Sequence, residues 1–213
     1  MGIPIEVAGR YKWLVFLPTR ETGAGALNHY YGVLNNGNVK VRGLEIRRSD
    51  IPPLVRRCQE DMIAVLATAD DAIIFTQQIP AALEVLKQYV KRVRTGNCRP
   101  EDLTITRRVT KPLAKYQQRN ESAACLWQLE QQGVVVRPGQ RVRYVVTDAA
   151  TSSLGKKVQV YPAAQRRGYD KDKYVSLLRT GAESLLLPFG YTQTVIKHYL
   201  EDITTLNAFT VKT

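Results

Sequence analysis

Apolar and polar residues alternate, or form short apolar runs, between positions 12 and 46; after position 50 apolar residues recur every three or four places. The first pattern is that of strands. Lys12-Trp13-Leu14-Val15-Phe16-Leu17 is a β run stopped by Pro18, and a Gly-containing loop follows from Arg20 to Leu27. Tyr30-Tyr31-Gly32-Val33-Leu34 is a second strand, Asn35-Asn36-Gly37-Asn38 a hairpin turn signal, and Val39 to Ile46 the return strand. Together they predict an antiparallel meander with one solvated face.

The second pattern is helical. Ser49-Asp50 is predicted to cap a helix with prolines in its first turn and Leu54, Cys58, Met62, Val65 and Leu66 as its buried stripe. A second helix is expected after Pro80, with Leu83, Leu86, Val90 and Val93 inward and Lys87, Lys91, Arg92 and Arg94 outward, ended by Gly96. Asn120 caps a third, carrying Ala123, Leu126, Trp127 and Leu129 and closed by Gly133. Val134 to Val136, the turn Arg137-Pro138-Gly139 and Arg141 to Val146 read as a hairpin, and Thr147 to Lys157 as a polar loop. Asp170 starts a last helix, with Tyr174, Leu177, Leu178 and Leu185 on one face, halted at Pro188-Phe189-Gly190. The expected class is α+β: a β piece over residues 1–48, then a mainly helical domain with a small hairpin over residues 49–213.

Charge adds a partner to this picture. Lys and Arg number 31 against 19 Asp and Glu, a net charge of +12 with pI near 9.8, which favours polyanions or an anionic membrane surface. From Lys87 to Arg119 ten basic residues face only Glu101 and Asp102, a local +8. No window is apolar enough to span a membrane, and the first residues lack the basic-then-apolar order of a signal peptide. The three cysteines are far apart; Cys58 and Cys125 fall in helical patterns as small core residues, which fits a reducing, cytoplasmic setting. Two histidines and scattered cysteines argue against a zinc site.

No phosphate-binding Gly loop, dinucleotide fingerprint or triad spacing occurs. The acid pairs Glu60-Asp61, Asp70-Asp71, Glu101-Asp102 and Glu201-Asp202 read as solvated helix ends or loops. Binding features are present without a reaction centre. Arg47 and Arg48 stand beside a predicted helix start, where guanidinium forks and free N–H groups suit phosphate. Thr106-Arg107-Arg108-Val109-Thr110-Lys111-Pro112-Leu113-Ala114-Lys115-Tyr116 mixes cations and hydroxyls in an extended stretch. Such residues contact phosphate and sugar oxygens without reading bases; a solubilising charged loop is the plainer alternative.

The order of segments resembles the C-terminal third of family B DNA polymerases, the last palm strands followed by the thumb. The similarity is carried by Ile5 to Tyr11, Tyr31-Gly32-Val33, Val41 to Asp50 ("VRGLEIRRSD"), Leu103 to Ile105, Val109 to Leu113 with Tyr116, Val134 to Val146 ("VVVRPGQRVRYVV"), and Tyr169 to Tyr191. It implies a grip on primer–template near the growing end by His29, Tyr30 and Tyr31, with no lysine before Tyr31. It implies duplex-backbone contacts by Arg42, Arg47, Arg48, Ser49 and Asp50 where palm meets thumb. Val109, Thr110 and Lys111 would follow the minor groove, with Arg107, Arg108, Lys115 and Tyr116 of the same stretch also expected to touch DNA, and Lys157 would add a further backbone contact. Glu6 matches a palm acid near the metal site without being a ligand.

The family's metal-binding aspartates lie in a Ser-Leu-Tyr-Pro-type motif and an Asp-Thr-Asp motif, and neither occurs in this sequence. Met1 falls just after the point where the exonuclease, fingers and first palm segments would end. The resemblance therefore implies the small subunit of a split polymerase, inactive alone, whose large partner holds Mg2+ and completes the palm. The apolar face of Trp13, Val15 and Leu17 is expected to be covered by that partner through strand pairing. A non-catalytic, free-standing double-stranded DNA-binding protein derived from a thumb is the second reading, and a piece of a longer polymerase the third. Near the C-terminus, Ile203, Leu206 and Phe209 keep the spacing of a sliding-clamp peptide, with Ile in place of Gln.

Overall fold

The alternation over residues 11–42 folds as a three-stranded antiparallel sheet in the computed structural model, which describes residues 9–18, 25–44, 46, 48–162 and 168–209, with the side chains of 25, 27 and 202–209 left aside. β1 (Tyr11–Pro18), β2 (Gly25–Leu34) and β3 (Val39–Arg42) lie in that order, with Trp13 opposite Val33, Val15 opposite Tyr31, and Tyr31 opposite Val41. The return strand ends at Arg42 rather than Ile46, because Gly43 turns the chain at φ +74°. Only glycine fits there: a Cβ would stand 2.6 Å from the Asn28 carbonyl oxygen and collide with the His29 ring.

Helices follow: α1 (Pro53–Leu66), α2 (Ala72–Arg94) and the single-turn α3 (Pro100–Leu103). A second antiparallel sheet has the order β4 (Ile105–Arg108), β5 (Arg141–Val146), β6 (Val158–Val160). Between its strands run α4 (Glu121–Gln131) and the single-turn α5 (Leu154–Lys157), and the chain ends in α6 (Lys171–Leu186) and α7 (Gln193–Phe209). The class is α+β, as the pattern predicts. Two compact units form, one from residues 1–47, 58–88 and 179–213, the other from 48–57 and 89–178. Neither is a continuous stretch, so division by contact differs from the sequence-order division at 48/49.

In the first unit the sheet is closed by aromatic and helical residues of the same unit. Trp13 meets Tyr31 and Phe75 edge-on, with ring centroids 5.9 and 4.8 Å away, and its indole N–H donates to the Ala69 carbonyl at 3.0 Å. Tyr31 is fully buried and donates its hydroxyl to the Leu185 carbonyl at 2.9 Å. Leu17 is buried and Trp13 and Val15 half-buried, so the face expected to await a partner is covered within the unit. The exposed aromatic is Phe16, on the opposite face. Met62, Leu66, Leu83, Leu86 and Leu185 fill the core behind Tyr31, and Cys58, buried among them, has its thiol pKa pushed up by desolvation.

Two helix starts differ from the sequence expectation. The second helix begins before Pro80, because the Asp71 carboxylate accepts from the Ile74 N–H at 2.8 Å and caps it; Pro80 then sits within the helix at an exposed position. At the start of α1, where Ser49-Asp50 was expected to cap, the Val55 and Arg56 N–H groups donate to the Pro52 carbonyl. α7 was not predicted as a helix; the Glu183 carboxylate accepts from the Gln193 N–H at 3.0 Å at its start, and Ile196 is buried.

In the second unit the expected hairpin of Val134–Val136 with Arg141–Val146 does not form. Val134 donates its N–H to the Leu129 carbonyl in the close of α4, Val135 is exposed, and β5 takes its partners from β4 and β6. Asn120 caps α4 as expected, accepting from the Ala123 N–H at 3.0 Å, and Gly133 closes it at φ +75°. Tyr174 ties α6 to the sheet: its hydroxyl accepts from the Val146 N–H at 3.0 Å and donates to the Leu103 carbonyl at 2.8 Å. Cys125 lies in this core with its thiol pushed up to about 12 by burial. Asp102, expected in solvent, is buried.

Candidate nucleic-acid interface

In the second sheet Thr106 lies opposite Arg143 and Arg108 opposite Arg141. Successive strand residues point to opposite faces, so Val142, Tyr144 and Val146 enter the core while Arg141 and Arg143 stand on the other face, exposed beside Arg108. Arg143 lies over the Tyr161 ring at 4.5 Å. Among the described residues none of these three arginines is in an ion pair. Past Arg108 the ladder continues irregularly: Gly139 donates to the Val109 carbonyl at 2.7 Å, and Val109 donates to that of Gln140 at 2.8 Å. Lys111 follows, its ammonium 4.9 Å over the Tyr116 ring. The result is an exposed cationic strip with aromatic supports.

Arg107 belongs by alternation to the other face, and there it meets the loop before α1. The Asp50 carboxylate accepts from Arg48 through Nε at 3.0 Å and Nη2 at 2.8 Å, and from Arg107 Nη1 at 2.7 Å. The Arg48 hydrogen bonds, with the charges of Arg48 and Arg107, hold its carboxyl below the usual range against partial burial. A depressed carboxyl stabilises the fold above its unfolded pKa, and that contribution is lost as pH falls through the folded value, below about pH 4. Arg48 and Arg107 thus each spend hydrogen bonds on a neighbouring carboxylate while their side chains stay about half exposed. Replacing Asp50 with Asn removes one negative charge and loosens both guanidinium groups. We expect the Asp50→Asn chain to bind duplex DNA more tightly in low salt. Its log-affinity against log-salt slope, read by fluorescence anisotropy, should steepen by about 1; weaker binding would mean that Asp50 serves by orienting the arginines.

In the first sheet, Tyr30 lies opposite Phe16 on one side and Arg42 on the other, with the Phe16 and Tyr30 rings 6.1 Å apart. Phe16 and Arg42 are exposed and Tyr30 half-buried, a small aromatic and basic row on the solvent face. His29, Ser49, Thr110 and Lys115 are also at the surface. Tyr31 and Val109 are core residues. Lys157 is 7% exposed and donates its ammonium to the Ala149 carbonyl at 2.6 Å, so it holds its own loop. Arg47 and Glu6 lie outside the described residues, as do the side chains of Ile203, Leu206 and Phe209, whose backbone is part of α7. Sequence reading missed Arg141 and Arg143 as site residues; their signal was the alternation in Arg141-Val142-Arg143-Tyr144, which puts both on the solvent side.

Among the described residues no group of three or more His, Cys, Asp or Glu side chains is placed to hold a metal ion. Among them, too, no helix is long and apolar enough to cross a membrane.

Known proteins match this arrangement. The model of DNA polymerase family B matches residues 27–185. DNA polymerase 2 of Aeropyrum pernix is 23% identical over 198 residues, covering 92% of this chain and 23% of that protein. The DNA polymerase of Archaeoglobus fulgidus is 23% identical over 219 residues, covering 92% of this chain and 25% of that protein. The solved family B DNA polymerase of the archaeon Pyrobaculum calidifontis superposes with a TM-score of 0.65 at 17% identity, over 84% of this chain and 22% of that one. The chain thus spans about a quarter of the length of these relatives.

Proposed function

From a chain that belongs to DNA polymerase family B, we propose the following role: it completes the palm and forms the thumb of a split DNA polymerase, holding primer–template duplex by its sugar–phosphate rails. The observation that carries this reading is the Arg108–Arg141 pair. Two arginines directly opposite each other on an antiparallel ladder repel, and a line of phosphates turns that cost into attraction. Arg143, Lys111 and Thr106 extend the same strip, and the Tyr30–Arg42 row is a second basic surface on the palm side.

Such contacts position DNA without selecting its sequence. Their contribution to synthesis is to keep the primer end in line, where an error of ~1 Å can lower the rate ~100-fold. Magnesium, where bound, would polarise the nucleotide phosphates and activate the primer hydroxyl. In this reading the metal is held by a larger partner subunit, and no step through the metal is assigned to this chain. A clamp-binding role for Ile203, Leu206 and Phe209 belongs to the same proposal.

A second reading, a self-sufficient duplex-binding protein, is favoured by one observation: Trp13 and Tyr31 are covered within their own unit, so the first sheet does not need a partner to close. Co-purification followed by primer extension separates the two. The split-polymerase reading expects a large chain to co-purify, extension by the pair, and none by this chain alone. Extension by this chain alone would overturn it, and tight duplex binding with no co-purifying chain would favour the second reading.

A further inference from the structure

Asp102, on α3, is buried yet surrounded by three arginines. Arg57 Nη2 bonds its Oδ1 at 2.5 Å; Arg99 Nη2 is 3.7 Å from the same oxygen, and Arg92 Nη2 is 3.9 Å from the other. The first distance is that of a tight ion pair, and the other two are beyond hydrogen-bonding range. One guanidinium thus meets the carboxylate closely while two stay within its field with their N–H groups unspent on it. Among the described residues the guanidinium groups of Arg92 and Arg99 make no closer ion pair. A guanidinium has five N–H donors and a carboxylate about four acceptor sites, so donors far exceed what Asp102 can accept. Three cations on one anion leave a charge of +2.

These groups line an open cleft of about 460 Å³ with Asn97. The close of α2 builds it: Gly96 turns at φ +80°, and Asn97 donates its backbone N–H to the Arg92 carbonyl at 3.0 Å. Arg92 is steadied by the Tyr89 ring, 5.4 Å from its guanidinium carbon. A purely structural network around one carboxylate would need a single guanidinium, and it would not keep two more half in solvent around a cavity. We propose that this cleft is an anion site for a doubly charged phosphate group, with Arg92 and Arg99 as its ligands and Asp102 as the counter-charge that fixes Arg57. The residual +2 matches a terminal phosphate or pyrophosphate dianion better than a backbone diester, which carries one charge. Two sources share that chemistry: a free phosphate or pyrophosphate, and the 5′-phosphate end of a strand. The site stands apart in residues from the Arg108–Arg141 strip and does not depend on the function proposed for it.

The test is isothermal titration calorimetry of the full chain with sodium pyrophosphate and with sodium phosphate at fixed ionic strength. Saturable binding of at least one is expected. Arg92→Gln and Arg99→Gln should each weaken it about tenfold, the loss for one hydrogen-bonded charge, while Arg108→Ala with Arg141→Ala leaves it unchanged. Arg99 is largely exposed, so its variant folds even if loss of the Tyr89 contact unsettles Arg92→Gln. Absence of saturable binding, or equal affinity in wild type and Arg99→Gln, would overturn the site. A second titration compares one short duplex with 5′-phosphate and with 5′-hydroxyl ends. Preference for the phosphorylated duplex that Arg99→Gln abolishes supports the site with a strand end as source; equal affinities beside Arg99-dependent pyrophosphate binding support it with the free anion.

Discussion

Replacing Arg108 and Arg141 together with Ala should weaken duplex DNA binding about 100-fold in low salt, and for every sequence alike. Each guanidinium–phosphate contact contributes about 1.5 kcal/mol or more, roughly tenfold per residue, and the two are on neighbouring strands facing the same side. The slope of log affinity against log salt should become shallower by about 2, one unit for each phosphate released. Folding gives an independent readout. The two cations repel across the ladder, so the double variant should melt no lower than wild type, and a loss of DNA binding cannot be put down to unfolding. Arg48→Ala should act more weakly, because Asp50 already holds that guanidinium. A loss confined to particular DNA sequences, or an unchanged salt slope, would sink the phosphate reading of this strip.

The contrast between Arg48 and Arg108 shows what a sequence can and cannot convey. Both precede or follow basic neighbours and both read as phosphate contacts. What separates them is whether an acid is paired with them: Asp50, two residues along the loop, with Arg48, and none with Arg108 among the described residues. Local signals were legible. Asn120 capping α4, Gly133 and Gly96 ending helices, and the hairpin around Asn35–Asn38 depend on neighbours within a few residues. Non-local pairing was not legible. The partners of β5 lie at Ile105–Arg108 and Val158–Val160, and nothing in Val134–Val136 as a β-rich tripeptide reveals that it will be left out. Pro80 misled because a proline inside a helix is costly, yet Asp71 had already started the helix more than two turns earlier. Asp102 misled for the opposite reason: an acidic pair before Leu103 reads as surface, and only the fold brings Arg57, Arg92 and Arg99 around it.

Trp13→Ala should destabilise the isolated chain by about 3 kcal/mol, the low end for emptying a large aromatic from a packed site, because the ring is half-buried. A period-2 pattern says which residues share a face but not what covers that face, and here the covering groups belong to the same unit. The indole lies edge-on against Tyr31 and Phe75, Phe75 continues the stack to Phe189 at 5.0 Å, and the indole N–H satisfies the Ala69 carbonyl. Removing the ring therefore opens a cavity between Tyr31 and Phe75 and strands a carbonyl at once. The loss is to be read by urea denaturation of this chain without any partner, following tyrosine and the remaining tryptophan, Trp127. Phe16→Ala is the matched control: its side chain is 57% exposed on the opposite face, so it should cost little in the isolated chain. If instead Trp13→Ala left the isolated chain as stable as wild type and weakened only an assembly with a second protein, the sheet would be closed by that protein, as the split-polymerase resemblance implies. The two variants thus ask one question from both faces of the sheet: whether its apolar side is finished within the chain, which leaves the solvent side, with Phe16, Tyr30 and Arg42, as the face open to DNA or to a partner.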